Sequence, residues 1–345
     1  MTSSSLVLFR WKLGSWKPVA AFLMTQEKRR QVKVALAFTS VYVLWGATYL
    51  AMRVAVVHIP PYVMGAVRYG IAGPLMLAYC ALAGRKVHIT RQDGWRLLTI
   101  GILLLSIANM GVANAEQYVP SGLAALIVAG VPIWVAILEA WVFRNRRLSL
   151  MGLAGLALGI VGMLVLLWPQ ISGARLDRLQ LLGFGILLVS SASWALGSVL
   201  SGRWSLSVDV FTASAWEMTF AGIINGLVAL LTGGFHQAAW TPRGLLAILF
   251  LVVCGSWIGF TAYIWLLEHV PTPKVATYAY VNPVVAVYLG WFILNEKVDS
   301  FMLLGTVIII SAVALVNLSK LRALKRPAPD SKEAVLSACE PAGDD

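Results

Sequence analysis

Long runs of apolar residues, separated by short polar breaks, dominate this chain. A membrane-spanning helix needs about 20 mainly apolar residues. Turn and charge signals such as Ile59-Pro60-Pro61 and Gly233-Gly234 mark the breaks. Ten stretches meet the requirement, at 34–56, 61–83, 96–118, 121–143, 150–168, 180–202, 211–232, 244–267, 273–294 and 301–319. The pattern predicts an all-α polytopic membrane protein with ten transmembrane helices and no folded domain in the loops.

The composition excludes the other large classes of protein. Of 345 residues, 59% are apolar and 12% are charged, whereas soluble domains have roughly 45–50% apolar and about 25% charged residues. A soluble enzyme, a disordered protein and a fibrous protein are therefore excluded. The three cysteines, Cys80, Cys254 and Cys339, have no metal-like spacing, so we expect neither a disulfide framework nor a zinc site.

The distribution of basic residues predicts the orientation. The net charge is +12, which in a soluble protein would suggest a nucleic-acid partner. In a membrane protein, Lys and Arg collect in cytoplasmic segments. With the amino terminus inside, 17 Lys and Arg residues lie in inside segments and four in outside loops. We therefore expect a lipid bilayer and no nucleic acid as partner, with both termini in the cytoplasm.

The two ends of the chain lie outside the predicted helices. Residues 1–33 are expected to be a cytoplasmic arm, whose apolar stretch Val19 to Met24 is too short for a signal-peptide core. Either this arm associates with the membrane, or Met24 is the true start. Residues 320–345, rich in Ala, Pro, Lys, Asp and Glu, predict a disordered cytoplasmic tail.

The sequence also carries a weak internal repeat, which divides it into halves at 34–168 and 180–319. Each half holds five predicted spans, and an odd number forces the halves into opposite orientations. Inverted repeats are typical of secondary transporters, which bind substrate near the membrane midplane between the repeats. The matches are Trp45 with Trp194 and Arg68 with Glu217 at an offset of 149, and Pro120 with Pro271 and Pro132 with Pro283 at 151.

These residues resemble the EamA family of the drug/metabolite transporter superfamily. The resemblance implies two five-helix repeats around a central cavity, and transport of small metabolites, usually export, across the bacterial inner membrane. The family often has an acidic residue where Asn145 stands, and Glu296 occupies the matching place in the second half. The matching positions are Trp45-Gly46-Ala47-Thr48, Pro60-Pro61, Arg68, Ala72-Gly73, Pro120, Pro132, Pro271, Pro283 and Leu294-Asn295-Glu296.

Charged residues inside the spans are candidate gate and coupling groups, because each costs roughly 2.5–3.5 kcal/mol to insert. Arg53, Arg68 and Glu116 are expected near the outer side, and Glu139 and Glu217 near the inner side. A closed gate would be an ion pair that substrate or proton opens. Glu139 and Glu217 are candidate proton sites, since burial disfavours the charged form of a carboxyl group. The alternatives are ion pairs that only fix helix packing and side chains that reach the interface.

Polar and aromatic residues at mid-depth are the candidate lining of the substrate cavity. Each carries hydrogen-bonding groups that need partners once buried. Some of them could instead bond between helices, and the tryptophans could belong to an interfacial belt. The candidates are Trp45, Asn109, Asn114, Trp194, Tyr278 and Asn282.

Two prolines and a glycine stripe predict further features of packing. Pro132 and Pro283 each lie well inside their spans. They should kink or break them, which makes these prolines candidate hinges. Gly152, Gly155, Gly159 and Gly162 share one face of span five. This stripe fits close packing within the chain or the contact of a homodimer.

The sequence shows no Walker-type loop, no metal-ligating cluster and no nucleophile–base set. We therefore expect no catalytic residues, no metal, no cofactor and no enzyme. The expected function is a secondary transporter of the inner membrane that exports a small-molecule substrate by alternating access. Amino acids, their derivatives and drug-like amphipathic compounds are the candidate substrates. The alternatives are import of a vitamin, sugar or nucleotide-linked solute, and a permease-like sensor or structural subunit.

Overall fold

The computed structural model describes residues 26–138, 150–172, 178–270 and 278–325. Its main elements are ten apolar helices, which confirms the predicted ten-helix, two-repeat fold. By length and composition, six are long enough to cross a membrane and four are shorter apolar helices. In chain order they are α1 (26–56), α2 (Pro61–Leu82), α3 (Arg91–Ala115), α4 (Ser121–Ile137), α5 (Leu150–Ser172), α6 (Arg178–Arg203), α7 (Val210–Leu231), α8 (242–269), α9 (Tyr278–Leu294) and α10 (Ser300–Lys325).

The first and last helices extend beyond the apolar runs that predicted them. Helix α1 already runs from Gln26, inside the predicted arm, and α10 continues to Lys325, inside the predicted tail. Gln, Lys and Arg are good helix formers, so a helix need not stop where its apolar run stops. The remaining residues of the two predicted ends, 1–25 and 326–345, lie outside the described residues.

Helices α2 and α7 cross closely, and glycines make this crossing narrow. A Cβ placed on Gly222 would lie 2.6 Å from the amide nitrogen of Gly70, and one on Gly73 would lie 2.5 Å from that of Thr219. Residue numbers rise along α2 as they fall along α7, so the helices are antiparallel. Because α2 and α7 are equivalents in the sequence repeat, their antiparallel contact shows that the repeats are inverted.

Helices α5 and α10 repeat this arrangement with the predicted glycine stripe. A Cβ on Gly155 would lie 2.8 Å from Cγ2 of Val316, and one on Gly162 would lie 2.8 Å from Cγ1 of Ile309. Small residues allow such close approach between membrane helices. The stripe is therefore used for packing within the chain, the first of its two interpretations.

Contacts between loops place equivalent loops at opposite ends of the bundle. At one end, the amide of Ala239 donates to the carbonyl of His58 at 2.9 Å. At the other end, Arg85 forms an ion pair with Asp209 at 3.0 Å. The segment at 83–90 thus lies opposite to its repeat equivalent at 232–239. We call the end with His58 the predicted outer end, after the charge distribution.

The two candidate hinge prolines have different surroundings. Helix α4 is broken into Ser121–Val128 and Val131–Ile137, with Pro132 in the first turn of the second segment, where a proline is tolerated. Pro283 lies inside the uninterrupted helix Tyr278–Leu294. The expected interruption is thus present at Pro132, whereas at Pro283 the helix is not broken. The hinge role of both residues stays a prediction.

Helices α1, α3 and α8 contain π-helical segments, which are wider than an α-helix. They lie at Val41–Trp45 in α1, Ile102–Asn109 in α3 and Leu251–Gly259 in α8. The last two are equivalents in the two repeats. A π-helical turn shifts the backbone hydrogen-bond pattern and is frequently found at functional sites. The candidate site lies where these segments meet.

Candidate functional site

Arg68 of α2 is buried at the meeting point of α3 and α8, with only 5% of its surface exposed. Its Nε donates to Oγ of Ser256 at 3.1 Å, and its Nη1 donates to Oδ1 of Asn109 at 3.2 Å. Both acceptors belong to π-helical segments. The guanidinium carbon lies 4.9 Å from the centroid of the Tyr69 ring. One cation of the first repeat thus bridges equivalent helices of both repeats.

Trp45 of α1 and Arg68 both lie close to Gly255 of α8. Its indole nitrogen donates to the carbonyl of Gly255 at 3.1 Å. A Cβ on Gly255 would lie 3.1 Å from Nη2 of Arg68. The Trp45 ring contacts those of Tyr263 and Tyr278, with centroids 4.9 and 5.3 Å away. An aromatic cluster therefore adjoins the buried cation.

The π-helical turns explain why polar side chains from neighbouring helices gather here. A widened turn leaves backbone carbonyls without their usual partner, and a buried carbonyl needs a donor. Trp45 supplies one to Gly255, and Ser193 of α6 donates to the carbonyl of Leu103 at 2.8 Å. Sequence reasoning missed Gly255, Ser256 and Tyr263. The one available signal was the Gly-Ser pair inside an apolar span.

Asn282 of α9 serves contact between helices, one of its two predicted roles. It is buried, and with its amide nitrogen facing α1 it donates to the carbonyl of Tyr42 at 3.2 Å and to that of Tyr278 at 3.3 Å. Tyr42 lies in the π-helical segment of α1. Asn282 thereby joins α9 to the π-helical segment of α1, which also contains Trp45.

Glu116, directly after α3 at the predicted outer end, is completely buried. Among the described residues, neither of its carboxylate oxygens has a hydrogen-bond partner. Arg53 and Glu296 are the charges that act on it. Within the described part of the chain, no ion pair joins Arg53, Arg68 or Glu116 to an opposite charge. Of the predicted outer cluster, Arg53 acts on Glu116, whereas Arg68 contacts Ser256 and Asn109, and the gating role of all three residues stays a prediction.

Glu296 holds the beginning of α4, a role that sequence reasoning did not assign. Its Oε1 accepts from the amide and the hydroxyl of Ser121, both at 2.9 Å, and its Oε2 accepts from the amide of Gly122 at 3.2 Å. A carboxylate of the second repeat therefore caps a helix of the first. Asn295 just before it has a φ of 54°, which brings the carboxylate back toward α4. The one feature of the sequence that drew attention to Glu296 was its match to a position of the EamA family.

The residues expected toward the other end are only partly described. Glu217 is buried with 7% exposure, and its carbonyl oxygen lies 2.7 Å from a Cβ placed on Gly101. Glu139 lies outside the described residues. Asn114 is directed to the predicted outer end, where its Oδ1 accepts from Gln117 at 3.0 Å. Three predicted residues, Trp45, Arg68 and Asn109, therefore surround one point, whereas Asn114 and Glu217 lie elsewhere.

The repeat partners Trp45 and Trp194 have different environments. Both are partly buried, but in the described residues Trp194 has neither the hydrogen bond nor the ring contacts of Trp45. The search of these residues for metal sites also finds no group of three potential ligands. The site can thus hold a ligand through one cation, amide and hydroxyl groups and aromatic rings.

The difference between the two tryptophans leads to a paired prediction. Trp45→Phe keeps a ring but leaves the Gly255 carbonyl without a donor, so we expect it to lower the free energy of unfolding by about 1–2 kcal/mol. Trp194→Phe should change it by less than about 0.5 kcal/mol. Thermal unfolding of both purified variants in detergent checks this. Equal losses of stability in the two variants would contradict the hydrogen bond between Trp45 and Gly255.

Comparison with known proteins places this arrangement among membrane transporters. The model of the EamA-like transporter family matches residues 32–168 and 181–318. The chain is 37% identical over 286 residues to YedA of Escherichia coli K12, described as an uncharacterized inner membrane transporter, covering 82% of this chain and 90% of YedA. It is 28% identical to protein PagO of Salmonella typhimurium, covering 80% and 90%.

A solved crystal structure shares the fold. It aligns with a TM-score of 0.62 and 20% identity, covering 86% of this chain and 99% of that one. At this identity the likeness concerns the fold alone.

Proposed function

Because this chain belongs to the EamA-like transporter family, we propose that it exports small metabolites across the inner membrane by alternating access. It is a multi-pass inner membrane transporter and not an enzyme. Both termini lie in the cytoplasm in this proposal, as the charge distribution predicts. The candidate substrates are amino acids, their derivatives and drug-like amphipathic compounds, and a proton is a candidate coupling ion.

The observation that carries the proposal is the antiparallel packing of equivalent helices in α2–α7 and α5–α10. Two inverted repeats that adopt different conformations make the molecule open to one side. Exchange of the two conformations opens it to the other side. Two differences between the repeats support such an asymmetry. Among the described residues the indole nitrogen of Trp45 donates a hydrogen bond and that of Trp194 does not, and helix α4 is broken before Pro132 whereas α9 is continuous at Pro283.

The gate residues fit this scheme as proposals. Glu116 and Glu217 lie near opposite ends of the bundle, each buried and without an ion pair among the described residues. Buried ionisable groups in a membrane protein are functional candidates by default. In this scheme Glu116 with Arg53 closes the predicted outer side, and Glu217 acts on the opposite side.

The experiment that tests the function is an efflux comparison. Metabolites in the medium are measured by mass spectrometry for a deletion strain and for strains that overproduce the wild type, Arg68→Gln, Glu217→Gln or Leu227→Ala. Leu227 is the matched control, since it is half exposed on the same helix. We expect at least one metabolite to accumulate about tenfold more with wild type and Leu227→Ala than with Glu217→Gln.

Equal metabolite concentrations in the media of all strains would contradict the export proposal. Normal export by both Arg68→Gln and Glu217→Gln, with wild-type amounts of inserted protein, would contradict the gate. Depletion of a metabolite from the medium would favour import through the same architecture.

A further inference from the structure

We infer that Arg68 binds the anionic group of the transported molecule, and that the substrate is therefore a metabolite with a carboxylate group. This inference rests on the proposed transport function and adds the substrate class to it. The charge balance, the hydrogen bonds and the position of Arg68 support it.

The positive charge of Arg68 has no counter-anion in the described part of the chain. The side chain is 95% buried, and its hydrogen-bond acceptors are the neutral groups of Ser256 and Asn109. An unpaired buried cation is costly, and in membrane proteins such residues mark substrate and ion pathways. In the described residues no ion pair joins Arg68 to Glu116 or to another carboxylate. A bound anion would supply the missing charge.

The guanidinium also keeps free donors. It has five N–H groups in a planar fork, and in the described structure two of them are used, one at Nε and one at Nη1. The nitrogen Nη2 has no acceptor among the described residues and lies beside Gly255, 3.1 Å from the position that a Cβ would take there. Guanidinium groups bind carboxylates with two parallel hydrogen bonds. The free donors thus match a carboxylate.

The position of Arg68 couples such a ligand to both repeats. Asn109 belongs to the first repeat and Ser256 to the second, each in a π-helical segment. An anion that draws the guanidinium away from either acceptor changes the contact between the two repeats. The indole of Trp45 donates to the carbonyl of Gly255, so an aromatic ring borders the same turn of α8.

The rival explanation is that Arg68 only holds α3 and α8 together. The two explanations differ for Asn109→Asp, which replaces the amide nitrogen by oxygen and keeps the Oδ1 that lies 3.2 Å from Nη1. The new carboxylate would neutralise Arg68 from within the protein. If Arg68 binds substrate, this internal anion competes with it. If Arg68 is only structural, the substitution leaves ligand binding unchanged.

The experiment measures binding to the purified full chain in detergent by isothermal titration and thermal shift. The probes are 3-phenylpropionate and its neutral amide, 3-phenylpropionamide, which have the same apolar body, with potassium chloride as the control for ionic strength. The variants are Arg68→Gln, Arg68→Lys and Asn109→Asp. Arg243→Gln is the matched control, since Arg243 is exposed at the predicted outer end.

We expect the wild type and Arg243→Gln to bind the carboxylate at least tenfold more tightly than the amide. Arg68→Gln and Asn109→Asp should lose this preference at least tenfold, and Arg68→Lys should keep part of it. Should Arg68→Gln fail to fold, Asn109→Asp decides the question, because it retains the arginine and adds an internal partner for it.

A wild type without preference for the carboxylate, or without any binding of it, would overturn the inference. So would an unchanged preference in Asn109→Asp. The efflux comparison is judged separately. Export of only neutral or cationic metabolites would overturn the carboxylate site and would agree with the proposed export function. Carboxylate binding without any efflux would contradict the export function and would agree with the carboxylate site.

Discussion

Gly222→Ala should strongly destabilise the folded bundle. The added Cβ would lie 2.6 Å from the amide nitrogen of Gly70 and 2.9 Å from its Cα. These are backbone atoms, so no side chain can rotate away, and α2 and α7 must separate. Overpacking of a well-packed interior costs about 1–3 kcal/mol, and we expect the upper part of this range or more.

Gly226→Ala is the matched control for this prediction. Gly226 lies on the same helix, and its nearest contact would be Cβ of Ala66 at 3.8 Å, an ordinary distance. Alanine is the better helix former by about 1 kcal/mol. We therefore expect Gly226→Ala to be neutral or stabilising and Gly222→Ala to be strongly destabilising, as measured by thermal unfolding and by the fraction that elutes as folded protein. A neutral or stabilising effect of Gly222→Ala would show that α2 and α7 do not cross so closely.

Glu296→Ala should produce the second largest effect. The substitution removes the acceptor of two backbone N–H groups and of the Ser121 hydroxyl at the beginning of α4. A helix cap contributes about 0.5–2 kcal/mol, and hydrogen bonds to a charged group contribute about 1.5–3 kcal/mol each. We expect a loss of about 2–3 kcal/mol in stability and faster hydrogen exchange confined to the first turn of α4.

Two further variants make this prediction specific. Glu296→Gln keeps one acceptor oxygen and should lose about half as much. Lys297→Ala changes the exposed neighbouring residue and should leave both stability and exchange unchanged. Hydrogen exchange with mass spectrometry reports the residues around Ser121 directly. Unchanged exchange there in Glu296→Ala would contradict the capping role.

The candidate site could be predicted only in part, and the failures have a common cause. Trp45, Arg68 and Asn109 were found because tryptophan, charge and amide groups inside an apolar span demand an explanation. Ser256 and Gly255 were missed, since a serine or a glycine in a membrane helix is ordinary. Their importance comes from a π-helical turn in α8, and no residue type marks such a turn.

The role of Glu296 could not be predicted from the sequence either. It lies at the end of its span, where an exposed charge is expected. Its contact with Ser121 joins residues separated by 175 positions. The cap depends on the backbone turn at Asn295 and on the packing of α9 against α4, which the sequence pattern does not contain.

The sequence by itself determined the number of helices, their order, the inversion of the repeats and the residues that do not belong in lipid. These properties follow from local composition, because a bilayer requires every spanning segment to be apolar and to satisfy its own backbone. Only the tertiary structure decided which equivalent helices cross at glycines, where α4 breaks, and which neutral groups surround Arg68. These depend on distances between residues more than a hundred positions apart, and close packing sets such distances to fractions of an ångström.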